Sequence, residues 1–296
     1  MKKICFQLLV CFCGTMFLSA AEKLPVSAGL PPVAHIVREI GGEYVTVSSM
    51  LPEGRSPHDY APGTRELRLA VQSKCFFTTD MLYEQRIARA LGKRVPVADV
   101  TVNIKRLPLI ADDHGHHDHH HCGLDHHSCG GDSKSGDPHV WLSPLNCAIM
   151  GQTVAAELGK LMPQYKKEFQ LRADRFSMKM RKLNENIAKR LAPYKGKNFF
   201  VYHPAFGYAA ALYQLNQKAI ELGGREATPT RMAAVIREAR KQGVKTVFVQ
   251  KQFNPASAKA LANALKGEVV ELDPLAADVE KNLLLLCDAL VKGFSR

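Results

Sequence analysis

The chain has 296 residues, 46% of them apolar, and its 40 lysines and arginines against 28 acidic residues give a formal net charge of +12. That length and apolar content suffice for two ordinary packed domains. The basic residues are spread along helical stretches such as 166–190 rather than interleaved with aromatics, which argues for solvated faces and against nucleic acid as a partner.

Residues 1–21 read as a secretory signal. Lys2 and Lys3 form a positive start, Ile4 to Leu18 is an apolar run, and Ser19-Ala20-Ala21 supplies small residues for cleavage. The run is short for a membrane span, and no later segment is apolar enough to cross a bilayer. No cysteine follows the cleavage site, so no lipid anchor is expected and the chain reads as exported and soluble. Removing the signal leaves Cys75, Cys122, Cys129, Cys147 and Cys287. Five is an odd number in an oxidising compartment, so at least one thiol stays unpaired and the pairing is open.

From Pro25 strands alternate with helices. Pro25–Leu30, Tyr44–Leu51, Cys75–Thr79 and Arg94–Ala98 are predicted strands. Pro31–Gly41, Thr64–Gln72 and Tyr83–Leu91 are predicted helices. Such alternation implies parallel sheets with crossover helices. After the aperiodic stretch Ile110–Gly136, Leu145–Met162 and Gln164–Leu191 read as helices. The second would span roughly 40 Å, enough to act as a rigid connector. Alternation then resumes with strands Asn198–Tyr202, Ala219–Leu222, Thr246–Val249 and Glu268–Leu272. Helices Ala205–Leu215, Thr230–Gln242, Ala256–Leu265 and Val279–Lys292 are interleaved with them. The expected fold is α/β: an N-terminal lobe over 22–163, a connector helix over 164–192 and a C-terminal lobe over 193–296, each lobe holding a mainly parallel sheet flanked by helices.

Within the aperiodic stretch, the loop 112–136 is histidine-rich. His114, His116, His117, His119, His120, His121, His126 and His127 lie there among Asp113, Asp118, Asp125, Cys122 and Cys129. Imidazole, thiolate and carboxylate at this density suit zinc, copper or nickel rather than magnesium, so the loop is a candidate low-affinity metal trap. Against this stands a polar loop with no specific role.

A sharper pattern lies elsewhere. His58 follows Ser56-Pro57, His139 sits in Asp137-Pro138-His139, His203 follows the Asn198–Tyr202 strand and precedes Pro204, and Asp273 ends the Glu268–Leu272 strand before Pro274. All four fall in connections around strand ends, where open α/β sheets place ligands. Three imidazoles and one carboxylate make a near-tetrahedral zinc set. Any one of these histidines alone would be a hydrogen-bonded loop residue; the four together point to metal.

The segments Ser-Pro-His58-Asp-Tyr, Asp-Pro-His139-Val-Trp-Leu, Tyr-His203-Pro-Ala-Phe-Gly-Tyr and Leu-Asp273-Pro-Leu resemble the metal-binding signatures of the extracytoplasmic solute-binding subunits of bacterial metal ABC transporters, nearest the zinc-type branch. The resemblance implies two α/β lobes joined by a long helix and one metal in the inter-lobe cleft, held by His58, His139, His203 and Asp273, with Asp273 or a water as the fourth ligand. It also implies a monomer in the periplasm with a membrane permease as partner and Zn²⁺ as cargo. Manganese-type relatives carry a glutamate where His203 stands, and harder oxygen-rich sites suit manganese, so His203 and the histidine-rich insertion both favour zinc.

Rival readings are a zinc store or chaperone acting through the loop, manganese-type transport, and an enzyme. His114-Gly-His116-His117-Asp118-His119 matches a zinc-hydrolase pattern, but inside a low-complexity run such matches arise by chance. No H-E-x-x-H, G-x-S-x-G or phosphate loop is present. The sequence therefore reads as a binding protein, not an enzyme.

Overall fold

The structure of the protein, a computed structural model, describes residues 22–108, 136–221, 228–253 and 256–295. The signal segment, the eight loop histidines, Cys122 and Cys129 lie outside the described residues.

Two four-stranded parallel sheets repeat one topology. The first has strands β1 (Leu24–Ala28), β2 (Val45–Ser49), β3 (Phe76–Thr78) and β4 (Val97–Asp99) in the order β2-β1-β3-β4. Its crossover helices are α1 (Pro31–Gly41), α2 (Thr64–Gln72) and α3 (Leu82–Leu91). The second has β5 (Asn198–Val201), β6 (Asn216–Ala219), β7 (Thr246–Gln250) and β8 (Glu268–Leu272) in the order β6-β5-β7-β8, with α6 (Gly207–Tyr213), α7 (Pro229–Lys241), α8 (Ala256–Ala264) and the closing α9 (Val279–Phe294). Each sheet reverses strand order beside its first strand, the place where doubly wound sheets open a ligand crevice beyond the strands' carboxyl ends.

The elements form where side-chain period and termini agree. In α1, Pro31 sits in the first turn, where no intrahelical N–H is needed. Val33, Ile36, Val37 and Ile40 form its buried stripe. The helix stops at Gly42, whose φ of +53° suits glycine and whose missing Cβ leaves room for the Arg172 guanidinium. The central strands are continuous apolar runs, as expected when both sheet faces are covered. Phe199, Val201 and Phe248 enter one core, whereas Phe200, Val247 and Val249 enter another with α7 and α8.

The helices α4 (Pro144–Leu161) and α5 (Lys166–Leu191) pack on each other between the sheets. Phe169, Ala173, Phe176, Met180, Leu183, Ile187 and Leu191 recur every three or four residues and bury one stripe of α5. That stripe meets α1 of the first lobe and α9 of the second, and one apolar cluster runs from Val26 to Leu290 through both. At 26 residues α5 is about 39 Å long. It begins later than predicted because Pro163 opens a separate 3₁₀ turn over Pro163–Tyr165.

One strand is displaced from its predicted place. The expected Ala219–Leu222 is Asn216–Ala219, because Gln214 turns the chain at a left-handed φ of +57° and pairing with β5 starts at Asn216. The strand opens with Asn-Gln-Lys, so apolar content did not mark it. Gln217 is buried because its side-chain oxygen accepts the Phe206 N–H at 2.7 Å.

Candidate metal centre

His58, His139 and His203 converge although 145 residues separate the first from the last. His58 lies in the turn-rich connection after β2, His139 caps the 3₁₀ turn Val140–Leu142, and His203 directly follows β5. The Nε2 atoms of His58 and His139 are 3.4 Å apart, and so are those of His203 and His139. Four ligands tetrahedrally placed about 2.05 Å from a zinc ion lie about 3.3 Å from one another. The observed separations match that edge, and they are long for an N–H···N hydrogen bond. A ligand atom from each histidine lies within 4.8 Å of the others.

Carboxylates aim two of the rings. Asp137 Oδ1 accepts from the His139 backbone N–H at 2.9 Å and lies 2.7 Å from His139 Nδ1. Glu221 Oε2 lies 3.0 Å from His203 Nδ1. An Nδ1–H donated to a carboxylate leaves the Nε2 lone pair facing the centre and makes the imidazole more basic toward a metal. Gln250 clamps the His203 backbone, accepting its N–H at 3.0 Å and donating to its carbonyl at 2.6 Å. Phe253 stacks on the His203 ring at 5.0 Å, and Trp141 meets the His139 ring edge-on. Tyr208 of α6 donates to the Asp137 carbonyl at 2.9 Å. Gly207 is required beside it, since a Cβ there would come within 2.4 Å of Asp137 Oδ2.

The pocket is lined by Ser56, Pro57, Trp141, Gln252, Phe253, Pro274 and Leu275 together with the three histidines. His139 and His203 are 3% and 8% exposed, whereas His58 is exposed along one side of its ring. Desolvation of the part of the ring turned to the pocket, reinforced by the neighbouring imidazoles, lowers His58 below the ordinary histidine value of 6.5. Burial also lowers His203, with Glu221 opposing it. Protons therefore compete for the His58 and His203 nitrogens only at lower pH than free histidine would suggest. Apparent zinc affinity is expected to stay level down to about pH 6.5 and to fall below it, as competition titrations across pH would show. For the metal-free fold the sign follows from proton counts. Between the lowered folded values and 6.5 the unfolded chain binds more protons, so these two groups remove stability as pH falls through that window.

Asp273 does not join the three histidines among the described residues. Its Oδ1 accepts from the Leu275 N–H at 3.0 Å and from Gln252 Nε2 at 2.6 Å, which caps the turn leaving β8. The expected loop ligands His114 to His127 lie outside the described residues. Sequence reasoning missed Asp137, Glu221, Gln250 and Gln252. Asp137 was visible as a neighbour in Asp-Pro-His. Glu221 carried no local signal, since it meets His203 only because β6 lies beside β5. Neutralising either carboxylate, as Asp137→Asn or Glu221→Gln, is expected to weaken zinc binding by about 10- to 100-fold while leaving the far-ultraviolet spectrum unchanged.

Two parallel-sheet lobes on a helical spine, with three convergent imidazoles carried by connections of both lobes, define a metal-binding protein of the solute-binding type. Residues 26–289 match the family described as zinc-uptake complex component A, periplasmic, and the chain belongs to that family. Its members are binding components of metal transport rather than enzymes. The zinc-binding protein AdcA of Streptococcus pyogenes serotype M3 is 27% identical over 274 residues, covering 89% of this chain and 53% of that protein. The chain thus spans about half the length of the AdcA relatives it matches. A crystal structure of ZnuA superposes with a TM-score of 0.81 at 25% identity over 92% of this chain and 99% of the other. A zinc-bound ZnuA deletion mutant gives 0.80 at 26% identity over 92% and 98%.

Proposed function

We propose that the chain captures Zn²⁺ outside the cytoplasm on His58, His139 and His203 and delivers it to an ATP-driven membrane permease. The observation that carries this reading is the convergence of three imidazoles, with His139 Nε2 3.4 Å from the Nε2 of both His58 and His203 and a ligand atom of each within 4.8 Å of the others. Three neutral imidazoles suit zinc better than manganese, which favours oxygen ligands. Family membership and the names of the zinc-binding relatives support the same cargo. Cleavage after residue 21 would release the chain into the periplasm. Among the described residues no helix is long and apolar enough to cross a membrane.

The shared core limits how the ion is taken up and released. Because α4, α5, α1 and α9 form one apolar cluster spanning both lobes, wide hinge opening would expose buried surface. Small shifts of the loops carrying His58 and His203 suffice. At the rim of the cleft Glu53 of the first lobe pairs with Lys251 of the second at 3.1 Å. The loop histidines gather zinc weakly and raise its local concentration near this site.

Uptake of radiolabelled zinc by cells supplying the chain and its permease tests delivery. Uptake should collapse in the His58→Ala, His203→Ala variant and persist, reduced at limiting zinc, when residues 113–132 are deleted. Uptake that survives the histidine changes but is abolished by the deletion would favour the store or chaperone reading.

A further inference from the structure

Among the described residues, Gln252 is the polar side chain that lines both the histidine pocket and the adjoining cavity of about 400 Å³ that Asp273 faces. Its place is set by β7. Lys251 continues the ladder by donating to the Leu272 carbonyl, the Phe253 N–H returns to the Gln250 carbonyl, and the Phe253 ring rests on His203. Between these two fixed neighbours the Gln252 amide meets the Asp273 carboxylate, with Nε2 2.6 Å from Oδ1.

That contact also orients the amide. An ionised carboxylate only accepts hydrogen bonds, so the NH₂ edge must face Asp273 and the carbonyl must be the other edge. The carbonyl oxygen, Oε1, is buried and has no hydrogen-bond partner among the described residues. A buried acceptor calls for a donor. None of the three imidazoles supplies that donor, since no hydrogen bond from His58, His139 or His203 reaches it among the described residues. A water bound to a cation is a strong donor and would occupy the side of the triangle that Gln252 lines.

We infer that Gln252 sets the fourth position of the centre: its NH₂ holds Asp273 out of the ligand shell, and its carbonyl accepts a hydrogen bond from a water that completes the tetrahedron. The inference rests on the three-histidine reading above and adds a specificity role to it. With Asp273 held away the site offers nitrogen donors and one water, a zinc-like set. With Asp273 released it gains a carboxylate oxygen and becomes more tolerant of manganese.

Four variants of the full chain test this, read by Zn²⁺ and Mn²⁺ competition titrations and by the visible spectrum of the Co²⁺-loaded protein. Asp273→Asn keeps an acceptor for Gln252 and Leu275. It should cost less than about threefold in zinc affinity, against about 100-fold for a true ligand. Gln252→Leu should weaken zinc by about tenfold, raise the manganese-to-zinc affinity ratio by at least as much, and alter the Co²⁺ bands. Adding Asp273→Asn to Gln252→Leu should abolish the gain in manganese binding. A merely structural Gln252 would change all metals alike and leave the Co²⁺ bands in place. The inference is overturned if Asp273→Asn alone loses about 100-fold, or if Gln252→Leu leaves both the metal ratio and the Co²⁺ spectrum as in the parent. His139→Ala, the fourth variant, separates the two levels. Tight zinc retained there overturns the three-histidine reading itself, whereas tight zinc lost there with a silent Gln252→Leu overturns only the role of Gln252.

Discussion

Replacing His139 by alanine is expected to cost about 3 kcal/mol of zinc-binding free energy, about a 100-fold loss, taking the roughly 10–16 kcal/mol typical of a four-ligand structural zinc site as shared among its ligands. His139 should be the most damaging of the three histidines to lose, because it sits 3.4 Å from each of the other two Nε2 atoms. Its removal also leaves Asp137 buried without the Nδ1–H it holds at 2.7 Å. A buried carboxylate deprived of a donor is costly, so part of the loss should appear as reduced stability of the metal-free fold. Competition titration gives the affinity, and urea unfolding of the metal-free variant gives the second component. His139→Gln would retain neither the ring nor the 3.4 Å geometry and should behave like alanine.

Trp141→Ala is expected to destabilise the fold by about 4 kcal/mol, at the upper end for a single large-to-small change. Trp141 is 1% exposed and is among the largest fully buried side chains. Its indole N–H donates to the Pro274 carbonyl at 2.7 Å, so one side chain ties the segment carrying His139 to the turn after β8. Its own carbonyl accepts from the Cys147 thiol at 3.1 Å, linking the same segment to α4. The substitution removes a large apolar surface, opens a cavity at the meeting of the lobes and orphans a carbonyl. The midpoint of urea unfolding should fall with little change in slope, and zinc affinity should fall as well because the His139 ring loses the edge it rests on. An unchanged midpoint would mean that the contact between the lobes lies elsewhere.

Much of this architecture was legible in the sequence. The apolar stripe of Pro31–Gly41 set that helix at its observed bounds, Thr64–Gln72 was also found at its expected bounds, and Glu268–Leu272 stood out as a strand with its paired valines. The unbroken run ending at Leu191 announced the spine, since nothing in it could stop a helix. The three histidines were legible because each sits beside a proline, although only His203 directly follows a strand; His58 lies nine residues beyond β2 and His139 caps a 3₁₀ turn. What local pattern could not carry was contact across the chain. Strand β6 escaped because its opening residues are polar and its place is set by pairing with β5. Glu221 and Gln250 escaped for the same reason, since each reaches His203 only through the lateral order of the strands. Asp273 entered the ligand set because it ends a strand before a proline and because the Leu-Asp273-Pro-Leu segment resembles a family signature, with a water as the alternative. In the structure its Oδ1 accepts from the Leu275 N–H and the Gln252 amide. A carboxylate two residues ahead of a free backbone N–H has a local partner, and that local bond competes with any distant ligand role.

The most direct test of the central claim is zinc stoichiometry and affinity measured by competition titration on the chain after signal removal and on its His58→Ala, His203→Ala variant. The account predicts one tight ion in the parent, and in the variant loss of that ion with the weak, exchangeable ions retained. A tight ion that survives both substitutions would contradict the account and would locate the principal site in the histidine-rich stretch.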